Sequence, residues 1–246
     1  MTRQRAHRTR ASILHRYHDV PVHLLAAMVV LATGCGRIAF EPFTAPTDST
    51  SDGAVDSATV CNDPIADAFD DGVISSIWSV SVEAPVTVVE SNGNITITLA
   101  ETGNLYGNLT IGCRYDMRGR EISIEVLDVP DGDPAAEMFL ELGIDGDNRV
   151  GIDVTSSNLR SYRRIGGNYV DVDVVPYDAL AKRFWRLRET AGTMFWETSD
   201  NRVDWTVRHS EASPLDVSNV EIGIHAGTFD VATSPGVARF DNFDVR

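Results

Sequence analysis

Two pairs of acidic residues have spacings that suggest carboxylate chemistry. Glu137 and Glu141 are four residues apart, and Asp171 and Asp173 are two residues apart. Hydrolysis of a glycosidic bond uses two carboxyl groups, about 5 Å apart in retaining enzymes and about 6.5 to 9.5 Å apart in inverting ones. On a β-strand the first pair would be about 13 Å apart and the second about 6.6 Å apart. The second pair fits better the polar face of an alternating strand, so these residues give catalysis little support.

Other catalytic patterns are missing from the sequence. No Gly-x-Ser-x-Gly or His-Glu-x-x-His motif occurs, and His209 and His225 have no partner that the sequence identifies. We therefore predict no catalytic residue.

Two acidic segments offer oxygen ligands of the kind that Ca²⁺ prefers. The candidate metal site consists of Asp145, Asp147 and Asn148, and a second acidic loop contains Asp128, Asp131 and Asp133. Asp and Asn are also ordinary turn-forming residues, which is the alternative explanation.

A third group of residues could bind sugar. If Trp185 and Leu187 lie in a core, alternation places Arg186 and Arg188 on the opposite, exposed face, and Glu197 on the neighbouring strand could pair with them. These three are the candidate ligand-binding residues, with a solvated charge ladder as the alternative. Two further aromatic candidates are Tyr106 and Tyr162.

The beginning of the chain has the organisation of an export signal. Residues 1–20 contain five arginines and one acidic residue, and an apolar run follows at 22–32. The run ends in LATGC at 31–35, which resembles the bacterial lipobox, although Ala32 stands where Leu is usual. The alternative is an ordinary buried helix.

We therefore expect residues 1–34 to be a lipoprotein signal peptide and Cys35 to be the lipidated N-terminus. Several acyl chains on one residue hold a protein stably at a membrane. Gly36 is not the Asp that favours retention in the inner membrane, so we expect an exported lipoprotein at the outer membrane or cell surface.

Residues 35–60 are rich in Ser, Thr, Pro and Asp and poor in large apolar residues, which predicts a flexible acidic linker. The folded domain is expected at 61–246. Its two cysteines, Cys61 and Cys113, would sit in an oxidising compartment, so we predict one disulfide, with two unrelated buried thiols as the alternative.

Composition and charge indicate a globular protein that does not bind nucleic acid. The chain has 246 residues, of which 43% are hydrophobic and 23% charged, which is globular composition. A formal net charge of −15 argues against nucleic acid as a partner, and removal of residues 1–34 makes the chain more acidic still.

Beyond residue 66 the apolar pattern has a period of two, in short segments bounded by turn residues. The clearest hairpin joins 86–89 to 94–99 across Asn92-Gly93. No helical period is long enough to predict a helix, and about a dozen strands at this spacing favour a β-sandwich or barrel.

Three blocks carry a resemblance to a known superfamily: DAFDDGVISSIWSV at 67–80, FWRLRETAGTMFWETSDNRVDWTV at 184–207, and ARFDNFDVR at 238–246. Together they resemble the concanavalin A-like lectins and glucanases, in the laminin-G-like branch. The resemblance implies an all-β fold, a two-sheet antiparallel jelly-roll sandwich. The Glu-x-Asp-x-x-Glu motif of the glucanases is absent.

The segment 198–205 is similar to an Asp-box hairpin, with Arg202 where that motif has Gly. In this interpretation Thr198 and Asp200 accept hydrogen bonds from the turn and Trp205 packs beneath it, in a structural role.

These observations predict a membrane-anchored bacterial lipoprotein whose β-sandwich is a non-catalytic recognition module for glycan or a surface partner. Two alternatives remain open: a glycoside hydrolase or lyase with an unrecognised carboxylate pair, and a structural envelope protein. No cofactor is certain, and Ca²⁺ is the one candidate.

Overall fold

The computed structural model describes residues 60–130 and 132–246. The predicted signal peptide, Cys35 and all of the predicted linker except Val60 lie outside the described residues, and so does Asp131. Within the described ranges, no helix is long and apolar enough to cross a membrane.

The described chain is built from strands, as its alternating pattern predicts, and it contains no helix. In chain order the strands are β1 (Val60–Cys61), β2 (Ile65–Asp67), β3 (Trp78–Val82), β4 (Thr87–Glu90), β5 (Ile95–Thr98), β6 (Leu105–Ile111), β7 (Arg114–Tyr115), β8 (Glu121–Asp128), β9 (Ala136–Asp145), β10 (Asn148–Thr155), β11 (Asn158–Ile165), β12 (Asn168–Pro176), β13 (Phe184–Thr190), β14 (Thr193–Ser199), β15 (Thr206–Ala212), β16 (Glu221–Thr228) and β17 (Val237–Val245).

Two large antiparallel sheets contain most of these strands. One has seven strands in the order β12-β11-β10-β9-β16-β6-β3, and the other has eight in the order β15-β14-β13-β8-β17-β5-β4. A short parallel pair, β1 with β7, adds the start of the domain. The two-sheet antiparallel sandwich predicted from the sequence is confirmed.

Alternation along each strand builds the core between the sheets. The inner face of β9 contributes Met138, Leu140 and Leu142, and the inner face of β13 contributes Trp185 and Leu187, all fully buried. Residues between them point to the outer face of their sheet, which we define as the face turned away from the other sheet. Each strand thus supplies both a core row and a surface row.

The hairpin predicted at Asn92-Gly93 connects β4 to β5. Asn92 has φ 54° and Gly93 has φ 74°, the two positive values that a type I′ turn requires. Asn and Gly adopt this left-handed conformation at low cost, and the turn matches the twist of the strands that it joins.

The first and last segments of the domain meet in the eight-stranded sheet. β2 pairs with β17, which itself lies between β8 and β5. The carboxylate of Asp67 accepts hydrogen bonds from the Phe69 amide at 3.0 Å and from Trp78 Nε1 at 2.8 Å. The Trp78 ring packs edge-on against Phe243, with ring centroids 4.8 Å apart. These contacts give Asp67, Phe69 and Trp78 of the sequence block at 67–80 a structural role.

Cys61 and Cys113 form a disulfide with their Cα atoms 5.9 Å apart, as predicted. It joins β1 to the segment just before β7. Close by, Arg114 donates a hydrogen bond to the Ile144 carbonyl oxygen of β9 and pairs with Glu221 of β16 at 2.8 Å, so the start of the domain is attached to both strands as well.

Removing the disulfide should destabilise the domain. The two cysteines are 52 positions apart, and a loop of that length restrains the unfolded chain by about 4 kcal/mol in the chain-entropy model. We expect the Cys61→Ser/Cys113→Ser protein to lose about that much unfolding free energy in urea denaturation. Equal midpoints for the oxidised wild type and this variant would contradict the prediction.

Candidate functional site

The outer face of the seven-stranded sheet carries a dense group of polar and aromatic side chains. They come from five neighbouring strands, β6, β16, β9, β10 and β11, and from the edge strand β12. We call this group the polar face; it comprises Tyr106, Asn108, Glu137, Phe139, Glu141, Arg149, Asp153, Thr155, Arg160, Tyr162, Tyr169 and His225.

Alternation places the acidic residues of β9 on this face. Because Leu140 points into the core, Glu137, Phe139 and Glu141 point outward. On β10 the same rule sends Asp153 outward beside Phe139, its partner in the register. Three carboxylates therefore surround one phenyl ring.

Asp153 is the most enclosed group of the polar face, with no exposed surface. Its Oδ1 accepts a hydrogen bond from Arg160 Nε at 2.6 Å, and its Oδ2 accepts one from the Tyr169 hydroxyl at 2.9 Å. The ring of Tyr169 stacks on that of Tyr162, with centroids 4.9 Å apart, and so covers the carboxylate. Pairing with a guanidinium and a hydroxyl is what allows a carboxylate to remain there.

Glu137 is held at the other end of the face. The Tyr106 hydroxyl donates to Glu137 Oε1 at 2.7 Å, and Thr155 Oγ1 lies 3.5 Å from Oε2. Arg160 Nη2 donates to Thr155 Oγ1 at 2.9 Å. Arg160 therefore links the environments of Asp153 and Glu137 into one hydrogen-bond network.

Glu141 belongs to a third group. Arg149 Nη1 donates to its two carboxylate oxygens at 3.3 and 3.2 Å, and His225 Nε2 lies 3.7 Å from Oε1. His225 Nδ1 is 2.9 Å from Asn108 Oδ1, an amide oxygen that can only accept, so Nδ1 carries the hydrogen. The imidazole therefore turns its Nε2 towards Glu141.

Glycines lie beneath three rings of the polar face. A Cβ atom at Gly151 would be 2.6 Å from the Tyr162 hydroxyl oxygen, and one at Gly223 would collide with the His225 ring. At Gly227 a Cβ would collide with both the ring of Tyr106 and the Leu105 carbonyl oxygen. Only glycine lets these rings lie flat against the sheet.

Burial shifts the ionisation of several groups. It raises the pKa of Asp153 to about 7, against the opposing effect of Arg160 and the hydrogen bonds. Burial also raises the pKa of Glu137 and lowers the pKa of His225. Shifts of this kind collect at functional sites, so the polar face is the candidate site.

The carboxylates of the polar face are poorly arranged for hydrolysis. Glu137 and Glu141 are separated by about 13 Å of extended strand. Asp153 is diagonal to both, at about 7 to 8 Å between Cα atoms, but it is fully buried and both its oxygens hold hydrogen bonds. Any sugar on this surface would meet a paired charge at each carboxylate, which suits binding better than proton transfer.

The predicted ligand-binding residues lie on the other sheet. Arg186, Arg188 and Glu197 are on the outer face of the eight-stranded sheet, opposite the buried Trp185 and Leu187, as alternation predicts. Arg186 Nε donates to Glu197 Oε2 at 2.7 Å, and Arg188 Nη2 to Oε1 at 2.9 Å. The structure brings the three together, and their role in binding stays a prediction.

Asp171 and Asp173 are not a pair. A bulge in the β11–β12 register, between Ser161 and Tyr162, places them on opposite sides of the sheet. Asp171 Oδ1 lies on the polar face, 4.0 Å from Arg160 Nε. Asp173 points between the sheets and accepts a hydrogen bond from Arg208 Nε at 3.0 Å.

The carboxylate oxygens of the acidic turn 145–148 have partners within the protein. Asp145 Oδ1 accepts from the amides of Asp147 and Asn148 at 2.8 and 2.9 Å, which lowers the pKa of Asp145. Asp147 pairs with Arg164 at 3.0 Å. Across the described ranges, no three or more His, Cys, Asp or Glu side chains are grouped to hold a metal ion.

The Asp-box-like turn has different hydrogen-bond acceptors from those expected at Thr198 and Asp200. Ser199 Oγ accepts from the amide of Arg202 at 2.9 Å, and Asn201 Oδ1 accepts from the amides of Val203 and Asp204 at 2.8 Å each. The acceptors are thus shifted by one residue, because Thr198 is still part of β14 and points into the core.

Two further residues of the segment 198–205 bear on the comparison with the Asp-box. Arg202 has φ 62° at the position where the motif has Gly. Trp205 lies under the Arg186 guanidinium, whose carbon is 4.1 Å from the ring centroid. The contact that the structure shows for Trp205 is thus a cation–π contact on the outer face, and its expected packing beneath the turn stays a prediction.

Two shallow depressions lie away from the polar face. One, of about 520 Å³, is lined by residues that include Arg118 and Glu189, and the other, of about 530 Å³, by residues that include Val89 and Arg239. Neither contains a residue of the polar face. Because Asp153, Glu137 and His225 are on the polar face, the candidate site is described as a surface and not as either of these depressions.

Sequence reasoning missed Asp153, Arg160 and Tyr169. The segment 148–155 alternates, and a lone Asp between Ile152 and Val154 was a signal that one of its outward positions is acidic. Its partners could not be identified, because they depend on the pairing register of β10, β11 and β12.

Stability should depend on pH through Asp153. A carboxyl with a pKa near 7 when folded and near 3.9 when unfolded binds a proton more tightly in the folded state. The stability that this provides is complete below about pH 4 and is lost as the pH rises to about 7. We expect the melting temperature of the wild type to fall across this window relative to Asp153→Asn. The lowered pKa of His225 acts in the opposite direction, so the difference between the two proteins is the quantity to measure.

Asp171→Asn is the matched control, since Asp171 is an exposed carboxylate near the same guanidinium. Parallel pH profiles for the wild type and Asp153→Asn would show that Asp153 is ionised throughout the range.

No family model and no curated protein matches the chain. Several solved structures, however, are similar to it. A glycosyl hydrolase family protein of Mycobacterium fortuitum aligns with a TM-score of 0.54 and 13% identity over 74% of this chain and 98% of that one. An immunostimulatory antigen and pseudo-β-1,3-glucanase of Mycobacterium tuberculosis aligns with a TM-score of 0.52 and 14% identity over 74% and 97%. A legume lectin-like domain from Entamoeba histolytica aligns with a TM-score of 0.50 and 11% identity over 69% and 89%. The described domain therefore has the concanavalin A-like β-sandwich fold of the lectins and glucanases.

Proposed function

We propose that this domain recognises glycans without catalysis, through the polar face, on a chain held at a membrane by lipid on Cys35. The observation that carries the proposal is the composition of one surface. Aromatic rings stand beside carboxylate, guanidinium and amide groups on the outer face of the seven-stranded sheet. Apolar surface for stacking and a few fixed polar groups for orientation are what a small-ligand site needs.

The polar groups are already fixed in place before any ligand arrives. Arg149 is bonded to Glu141, Arg160 to Asp153, and Tyr106 to Glu137. A ligand therefore loses less affinity to the ordering of side chains than it would on a surface of free ones. Because each charge has a partner of opposite sign or a hydroxyl donor, the surface favours uncharged hydroxyl-rich ligands.

The same pairing supports the non-catalytic part of the proposal. A general acid must hold a proton within reach of the leaving oxygen. Asp153 has the raised pKa that such a role requires, but it is buried beneath Tyr169 and cannot contact a ligand in this arrangement. Glu137 and Glu141 are more accessible but too far apart to act on one bond.

The test is binding of the full-length protein to laminarin, mannan, xylan and mucin glycans, by affinity electrophoresis and by thermal shift. Phe139→Ala removes the ring at the centre of the polar face and no hydrogen bond, and we expect at least a tenfold loss of affinity, equal to about 1.4 kcal/mol. Arg188→Ala, on the outer face of the opposite sheet, is the matched control and should bind as the wild type does.

Three outcomes would count against the proposal. Absence of binding to every glycan would favour a protein partner or a structural envelope role. Loss of binding in Arg188→Ala but not in Phe139→Ala would move the site to the eight-stranded sheet. Release of reducing sugar that disappears in Glu141→Gln would make the protein a hydrolase.

The lipid anchor has its own test. In cells given a labelled fatty acid, the wild type should carry the label and fractionate with membranes, whereas Cys35→Ser should do neither. The Cys61→Ser/Cys113→Ser protein retains Cys35 and serves as the control for general effects of cysteine loss. A labelled Cys35→Ser protein would contradict lipidation at this residue.

A further inference from the structure

A polar region lies between the sheets at one end of the sandwich. There β12 contacts β15 and β10 contacts β13, so β11 lies over β14. Two ion pairs cross from one sheet to the other: Arg163 Nη1 with Glu211 Oε2 at 2.6 Å, and Arg208 Nη2 with Asp173 Oδ2 at 2.9 Å. We call this region the edge junction.

Four polar atoms of the edge junction are buried and have no hydrogen-bond partner in the described part of the chain. They are Ser161 Oγ, Trp196 Nε1, His209 Nε2 and Glu211 Oε1. Ser161 and Trp196 are fully buried residues. Unpaired buried groups are rare in native proteins, and four in one place would cost a large share of a domain's stability.

The four atoms belong to side chains that are near one another. Trp196 is opposite His209 in the β14–β15 register, and the ring centroids are 5.3 Å apart. His209 Nε2 is 3.9 Å from Glu211 Oε2. Glu211 in turn bonds to Arg163, which stands two residues from Ser161 on the inner face of β11. A small ligand in this region would therefore lie among several of these atoms.

The chemistry of these atoms limits what the ligand can be. An indole N–H only donates, and a carboxylate oxygen only accepts. An anion would be repelled by Glu211, and a cation would not accept a hydrogen bond from the Trp196 N–H. The ligand must be neutral, small, and both a donor and an acceptor, which describes water.

We propose that the edge junction is an internal hydration site, in which one or two water molecules bridge Ser161 and Trp196 on one side to His209 and Glu211 on the other. A buried water makes about three hydrogen bonds, so two suffice for four atoms. The side chains of Arg163 and Glu211 are partly exposed, so the water exchanges with solvent along the sheet edge.

The experiment is NMR detection of water next to the Trp196 indole proton in the full-length protein, by rotating-frame cross-relaxation. We expect a water cross-peak at Trp196, assigned by its loss in Trp196→Phe. Trp185 is the matched control, because it is equally buried and donates its Nε1 hydrogen to the Lys182 carbonyl oxygen at 3.0 Å. A spectrum without a water cross-peak at Trp196 overturns the proposal.

Two substitutions at Ser161 test the energetics. In Ser161→Val the added methyl groups occupy the place of the water and leave Trp196, His209 and Glu211 unpaired, so we expect a melting temperature several degrees below that of Ser161→Ala. The Ser161→Val protein should also lose the cross-peak. If Ser161→Val is as stable as the wild type, apolar groups fill the edge junction better than water does, and the proposal fails. If the Ser161→Val protein does not fold, the wild-type spectrum alone decides.

Discussion

Every strand of a two-sheet sandwich has two rows of side chains. The fold depends on packing the inner row into the core and on pairing the polar groups of the outer row. The inner rows meet in one apolar core, as at Leu140 of β9 and Leu187 of β13. The outer rows have no second sheet to pack against. Their polar side chains must therefore pair with one another and still face water. In this domain they do so with ion pairs and hydrogen bonds between neighbouring strands, on both sheets. The carboxylates of Asp153 and Glu197 are almost completely buried on those outer faces, and each is bonded to an arginine.

The polar face differs from the opposite outer face in what lies beneath its side chains. On the eight-stranded sheet, arginines stack on the aromatic rings of Trp205 and Phe195. On the seven-stranded sheet, rings lie over glycines, as Tyr162 does over Gly151. The second arrangement brings aromatic and imidazole groups close to the backbone, and Tyr169 then stacks on the Tyr162 ring as an outer layer. The exposed ring of Tyr169 is therefore the aromatic surface of the polar face that a ligand would meet first.

Most of the fold followed from local sequence patterns. Asn92-Gly93 defined a hairpin, alternation identified which residues of β13 face the core, and the blocks at both ends of the domain indicated the sandwich. The candidate site did not follow, because it depends on register. Tyr106 meets Glu137 across 31 residues of sequence, and His225 meets Glu141 across strands that no local rule pairs. One bulge beside Ser161 was enough to separate Asp171 from Asp173.

The disulfide between Cys61 and Cys113 also determines how the domain carries mechanical load. A pull on the chain before Val60 passes from Cys61 directly to Cys113 through a covalent bond. The two-residue strand β1 would otherwise bear that pull through a few hydrogen bonds to β7. Residues 62–112, with strands β2 to β6, form a closed loop outside this line of force and cannot be drawn out. A domain tethered at its N-terminal side and holding a ligand on β9 and β16 would thus extend only from β7 onward, while strands β2 to β6 would keep their length.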